Sequence, residues 1–219
     1  MGSNMTSETG KTEAGPHGET RRDFLFTAAG AMAAVGTIAT VWPFMDSLNP
    51  AADVIAAGAP VDVDVSKIQP GQQITVLWRS RPIFVMRRTP ESLDALRQAR
   101  IVDLLVDPKS TVQQQPDYAK NWHRSAKPEY LVVVGICTHL GCIPRLEAAP
   151  GGNLGPDWPG GYFCPCHGSR YDLAARVFKS VPAPYNLPVP PYHFVSDKVL
   201  RVGENPPGSD FDLKSVVQL

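Results

Sequence analysis

The chain has 219 residues, with 21 Lys and Arg against 21 Asp and Glu and a formal net charge of zero. That length holds one ordinary domain with appendages or two small domains, and the charge balance excludes the concentrated basic excess of a nucleic-acid binder. Charged residues are 19%, below the roughly 25% typical of soluble chains, so some segment is nearly charge-free, while 22 Pro and 18 Gly exclude a helical bundle or coiled coil.

Residues 1–18 are rich in Gly, Ser, Thr and Glu without an apolar run, and read as a disordered tail. Thr20-Arg21-Arg22-Asp23-Phe24-Leu25 follows. Paired arginines before an apolar stretch resemble the twin-arginine export signal of bacteria, with Arg21 and Arg22 as its core. From Phe24 to Met45 there are 22 positions without a charge, about 33 Å as a helix and enough to cross a bilayer core. The run is rich in Ala and Gly and contains Thr27, Thr37 and Thr40, which suits packing against other membrane helices. Trp42 lies at its outer end as an interfacial anchor. It exceeds the roughly 7–15 residues of a cleaved signal's apolar region, so the expectation is a retained anchor. Arg21 and Arg22 put the N-terminus in the cytoplasm and all that follows Met45 outside the bacterial inner membrane, in the periplasm.

The organisation expected is therefore a tail with its export signal at 1–23, an anchor at 24–45, a tether at 46–60 and a head at 61–219. The tether is made of small residues with two prolines and one glycine over Ser47 to Pro60, which suits a hinge. In the head, Val61 to Val65 alternates as a strand. Gln73 to Trp78 and Pro82 to Arg87 form a hairpin across Arg79-Ser80-Arg81. Thr89-Pro90-Glu91 starts a helix with Leu93, Leu96 and Ala99 or Arg100 on its apolar face. Asp107 to Pro128 is polar and irregular. Tyr130 to Ile136 is a continuous apolar run, as in a strand buried on both faces. Tyr192 to Val195 and Lys198 to Val202 make a last hairpin. The fold class expected is mainly β: one transmembrane helix, then an antiparallel head with one helix.

All four Cys fall in two motifs, Cys137-Thr138-His139-Leu140-Gly141-Cys142 and Cys164-Pro165-Cys166-His167-Gly168-Ser169, each on a loop after a strand-like stretch. Two readings of the site stand open. A tetrahedral zinc site takes four of the six Cys and His and leaves two spare. Alternatively one Cys and one His from each loop bind metal and the remaining two Cys join as a disulfide, which an external location permits. Two Cys with two His is the ligand set of a Rieske 2Fe–2S cluster.

The two motifs resemble the cluster-binding boxes of Rieske proteins of ubiquinol–cytochrome c oxidoreductase. The resemblance extends from the twin-arginine anchor to the proline-rich Val181-Pro182-Ala183-Pro184 and implies a cluster-binding subdomain over about residues 135–185. It implies that Cys137 and Cys164 bind the inner iron, that His139 and His167 bind the outer iron, and that Cys142 and Cys166 form a bridge. It implies hydroxyl donors at Ser169 and Tyr171, a quinol contact at His167 and a docking surface at Leu140 and Gly141. The implied partners are ubiquinol, cytochrome b and a c-type cytochrome in a dimeric membrane assembly. Arg170 stands where relatives often have His or Lys, and Ala175 where Gly is expected. With two thiolates the oxidised cluster is neutral and takes an electron readily, at roughly −150 to +300 mV against about −400 mV for four-thiolate ferredoxins.

Two alternatives remain: the small Rieske subunit of a periplasmic arsenite oxidase, and a zinc module that only holds the fold. Gly151 to Pro156 lacks the Lys-Ser/Thr ending of a phosphate loop and reads as the connection between the motifs. His17 falls in the tail, and His123 and His193 read as surface or structural.

Overall fold

The computed structural model describes residues 20–51 and 58–219. The tail reading up to residue 19 and the middle of the tether reading, residues 52–57, lie outside the described residues. The chain divides into two compact units after Ala51.

The first unit holds helix α1 (Arg21–Ser47), which begins on the two arginines. Its start is fixed by a capping box: Thr20 Oγ1 accepts from the Asp23 amide at 3.3 Å, and the Asp23 carboxylate accepts from the Thr20 amide at 3.0 Å. The hydroxyls of Thr27, Thr37 and Thr40 each donate to the carbonyl four residues back at 2.8 Å. Such back-bonding lets a hydroxyl sit in hydrocarbon without an orphaned donor. Among the described residues α1 is the one helix long and apolar enough to cross a membrane.

Among the described residues the second unit has nine short strands: β1 (Val61–Asp64), β2 (Gln73–Trp78), β3 (Arg81–Arg87), β4 (Tyr130–Val134), β5 (Arg145–Glu147), β6 (Gly161–Phe163), β7 (Arg170–Asp172), β8 (Tyr192–Phe194) and β9 (Val199–Val202). They form three antiparallel sheets ordered β1-β9-β8, β2-β3-β4 and β5-β6-β7. The mainly β, antiparallel head is thus as expected, and local chemistry explains where its boundaries differ. β1 ends one residue early because the Asp64 carboxylate accepts from the Ser66 amide at 3.0 Å and turns the chain. The β2–β3 turn has two residues, Arg79 and Ser80, both left-handed at φ +50 and +58, and Trp78 pairs directly with Arg81. Left-handed turn residues match the twist of the flanking strands.

Thr89 caps helix α2 (Pro90–Ala95), accepting from the Ser92 amide at 3.2 Å. The helical stretch then breaks and resumes as α3 (Ala99–Val102), so the single expected helix is two short ones. Leu96 and Ile101 are its buried residues, while Ala99 and Arg100 face solvent.

All five residues of β4 are buried, as the apolar run predicts. At Gly135 a Cβ would sit 2.4 Å from the Phe84 ring, so only glycine lets the chain leave the sheet there toward Cys137. One apolar core joins residues of all three sheets, among them Val132, Leu200 and Tyr171. A smaller cluster of Ile101, Leu105, Trp158 and Phe178 lies under the glycine-rich connection. That connection is pinned by Trp158, whose Nε1 donates to the Glu147 carbonyl at 3.0 Å. The irregular stretch before β4 is less exposed than its polarity suggests: Gln114, Gln115, Arg124 and Ser125 are all buried.

Candidate metal centre

The first motif leaves β4 as loop one, Cys137 to Cys142. The second leaves β6 as loop two, Cys164 to Ser169, and runs into β7. The two loops share one backbone frame. In loop one the Cys137 amide donates to the Cys142 carbonyl at 2.7 Å, and the Gly141 amide donates to the Cys137 carbonyl at 3.0 Å. In loop two the Cys164 amide donates to the Ser169 carbonyl at 2.8 Å, and the Gly168 amide donates to the Cys164 carbonyl at 3.0 Å. Each loop reverses at its glycine, left-handed at φ +83 in Gly141 and +79 in Gly168.

Cys142 and Cys166 are joined as a disulfide that ties loop one to loop two. Cys137 and Cys164 remain free thiols, both buried. The sulfurs of Cys142, Cys164 and Cys166 lie within 4.8 Å of one another, but the bridge consumes two of them, so sulfur proximity alone does not define a ligand set. Outside the thiols, the rings of His139 and His167 meet edge-on with centroids 4.7 Å apart. His139 is half-buried and His167 exposed.

The chemistry of this donor set fits a cationic metal group. Burial pushes the Cys164 thiol up, and so does Cys137 beside it, while the amides of Cys166 and His167 favour its thiolate. Buried beside a second thiol, Cys164 resists ionisation until a cation supplies the missing charge. Two imidazoles complete a set of two sulfur and two nitrogen donors.

Tyr171, on β7, is fully buried, and its hydroxyl lies 3.2 Å from Cys137 Sγ. The same oxygen accepts from the Thr138 amide at 3.3 Å and meets Thr138 Oγ1 at 3.3 Å. Burial and the adjacent Cys137 sulfur both push its pKa up, so it stays a neutral donor. Ser169 is also buried. Its Oγ accepts from the Ala183 amide at 3.1 Å, which docks the proline-rich segment and leaves the hydroxyl proton to donate elsewhere. Leu140 (72% exposed) and Gly141 stand at the tip, joined by Ile143 (56% exposed).

Sequence reasoning missed three contributors. Ile143 was readable as an apolar residue directly after Cys142. Thr138 Oγ1 donates to the Tyr185 carbonyl at 2.7 Å and braces loop one. Gln218 Nε2 reaches the His139 carbonyl at 3.5 Å, with its own backbone held by Gln114. Nothing in the spacing of these residues announces the last two contacts.

The family comparisons agree with this geometry. A family model described as "Rieske [2Fe-2S] domain" matches residues 108–192, which puts the head in the class of Rieske iron–sulfur proteins. A second, "Ubiquitinol-cytochrome C reductase Fe-S subunit TAT signal", matches residues 11–51. The "Ubiquinol-cytochrome c reductase iron-sulfur subunit" of Allochromatium vinosum is 53% identical over 84% of this chain and 89% of its own. Its namesakes in Bradyrhizobium diazoefficiens and Rhodospirillum rubrum are 50% and 47% identical, over 84% and 90% of this chain and 94% and 100% of their own. The chain belongs to this family, the membrane-anchored iron–sulfur subunits of the ubiquinol–cytochrome c reductase oxidoreductase, and its cofactor is a Rieske 2Fe–2S cluster. Neither the arsenite-oxidase subunit nor the zinc module is favoured by these matches.

Proposed function

We propose that Cys137 and Cys164 hold one iron of the cluster and His139 and His167 the other, and that the head carries electrons from ubiquinol at cytochrome b to a c-type cytochrome. The observation that supports this reading best is the pair of free buried thiols beneath a bridge between the loops, with two imidazoles edge-on outside them. When bound, the cluster supplies a one-electron acceptor of high potential. The rest of the chemistry falls to side chains. His167 is the more exposed imidazole, so it is the one a quinol reaches. It accepts a hydrogen bond from the quinol hydroxyl and takes the proton at the ring nitrogen left free of metal. Leu140 and Ile143 cover that bond when the tip docks on an apolar surface of cytochrome b, excluding water. The hydroxyls of Tyr171 and Ser169 favour the reduced state by donating toward negative charge at sulfur.

In this reading Arg21 and Arg22 stay cytoplasmic, α1 crosses the bacterial inner membrane, and the head works in the periplasm within a dimeric assembly. Residues 46–60 serve as the hinge by which one head visits two partners.

The test is a reduced-state electron paramagnetic resonance spectrum of the full chain in membranes, with and without a quinol-site inhibitor. The expected result is an average g below the free-electron value that shifts when the inhibitor binds. A protein that carries zinc and gives no signal would reject the assignment. Within it, Ser169→Ala lowers the midpoint potential, and a redox titration with no downward shift removes Ser169 from the donor set. A run of prolines in the tether slows turnover at an unchanged spectrum, and unchanged turnover removes the hinge.

A further inference from the structure

Three arginines are buried in the head: Arg88, Arg124 and Arg176. Asp172 is the one buried carboxylate among the described residues, and it pairs with Arg176 at 2.7 Å. Two buried guanidiniums therefore have no buried acid of their own. Desolvation pulls Arg124 down to about 9 and Arg88 to about 10, which leaves both charged at neutral pH. Most of their partners are backbone carbonyls, and three of those carbonyls lie on one turn.

That turn is Leu173 to Ala175, directly after β7. Arg88 donates to the Leu173 carbonyl at 3.1 Å. Arg124 donates to the carbonyls of Ala174 and Ala175, both at 3.1 Å. Asp172 accepts from the amides of Ala174 and Arg176 at 2.9 Å, closing the turn from within. The other ends of Arg88 and Arg124 lie in the segment that feeds β4 and loop one. Arg88 donates to the carbonyls of His123 and Pro128 at 2.8 Å and to Ser125 Oγ at 2.6 Å. Arg124 belongs to that segment itself and also holds Gln115 Oε1 at 3.0 Å and the Leu187 carbonyl at 2.8 Å. Its Nε finds no partner, a cost accepted to keep the other four bonds.

The contact between Cys137 Sγ and the Tyr171 hydroxyl spans these two segments. Cys137 lies on the loop one side and Tyr171 on the loop two side. We propose that Arg124, supported by Arg88, is a positioning residue that fixes the Tyr171 hydroxyl against Cys137 Sγ by clamping the turn after β7 to the segment before β4. This rests on the reading that Cys137 is an iron ligand and Tyr171 its hydrogen-bond donor. A charge-assisted bond to sulfur depends steeply on distance and angle. Loosening the clamp therefore weakens the bond without removing either partner.

A double-mutant cycle on the midpoint potential of the cluster-loaded full chain tests this. The four proteins are the parent, Arg124→Lys, Tyr171→Phe and the double variant. Arg124→Lys keeps the charge and loses the forked geometry. Tyr171→Phe is expected to lower the potential by about tenfold in the reduction constant, about 59 mV for one electron. Arg124→Lys lowers it by part of that, and the double variant falls no further than Tyr171→Phe alone. Additive shifts mean that Arg124 acts on the potential by a route independent of the Tyr171 hydroxyl, and overturn the proposal. A shift in Tyr171→Phe with none in Arg124→Lys overturns it too, while leaving the cluster reading intact. No shift in Tyr171→Phe overturns the donor assignment itself and the proposal with it. If Arg124→Lys does not load, Gln115→Leu removes one of the four bonds of Arg124 and carries the same cycle.

Discussion

At the third position of the shared frame loop one carries His139 and loop two carries Cys166; at the sixth, loop one carries Cys142 and loop two Ser169. At the fourth, the exposed Leu140 faces the role that exposed His167 has in loop two. The first position, free buried Cys, and the fifth, left-handed Gly, are the same in both. The frame thus fixes a sulfur at its base and a reversal at its tip, and leaves the intervening positions to differ. The disulfide uses that freedom: it joins the sixth position of one loop to the third of the other, so two similar loops become one asymmetric site.

The strongest way to break the comparison is at its common base. Cys137→Ala and Cys164→Ala are each expected to abolish the visible absorbance and the reduced-state signal of the cluster. If one variant retains a cluster, the two bases are not equivalent and the ligand assignment fails for that loop. Next in size is the bridge. Cys142 and Cys166 are 24 residues apart, and replacing both by Ser is expected to cost about 3 kcal/mol, mainly by freeing the unfolded chain. Denaturant unfolding measures it. A loss below about 1 kcal/mol means that the shared frame alone holds the loops together, with the bridge dispensable.

How far sequence reaches depends on where a residue keeps its partners. Cysteine and histidine types with their turn glycine lie within six consecutive positions, so both motifs are legible on their own. β4 is legible because five consecutive buried positions demand an unbroken apolar run. β5, β6 and β7 have three residues each, too few for any period, and are held by tertiary pairing. The arginine clamp is the least legible part. Arg88 reaches carbonyls 35 and 85 positions away, and since every residue has a carbonyl, no side-chain pattern marks the target. A polar stretch such as Asp107 to Pro128 then reads as polar and irregular although Ser110, Gln114, Gln115, Arg124 and Ser125 are buried.

The glycines sharpen the comparison at a smaller scale. A Cβ at Gly141 or Gly168 would meet nothing within 4 Å, so substitution there carries a backbone cost alone. A left-handed L-residue costs about 1–2 kcal/mol, less the unfolded-state gain of about 0.4–1 kcal/mol on replacing Gly. Gly141→Ala and Gly168→Ala should therefore each destabilise by about 1 kcal/mol. Thermal unfolding of the two side by side checks it. Unequal losses would show that the loops do not share the frame.

Another left-handed position, Ala175, runs this experiment in reverse. Ala175 stands where the family resemblance leads one to expect Gly, yet the turn keeps the left-handed conformation, at φ +58. It is held there by Arg124 on its carbonyl and by its own amide on the Asp172 carbonyl at 2.8 Å. Ala175→Gly relieves about 1–2 kcal/mol of backbone strain. Against this, the methyl is fully buried, and removing it loses about 0.8 kcal/mol. Glycine also loosens the unfolded chain by about 0.4–1 kcal/mol. The terms nearly cancel, so the expected change is centred on zero and within about 0.8 kcal/mol of it, against the loss centred on about 1 kcal/mol at Gly141 and Gly168. A destabilisation above about 2 kcal/mol would mean that the Ala175 methyl supports the turn by packing. The clamp would then not be what keeps the turn left-handed.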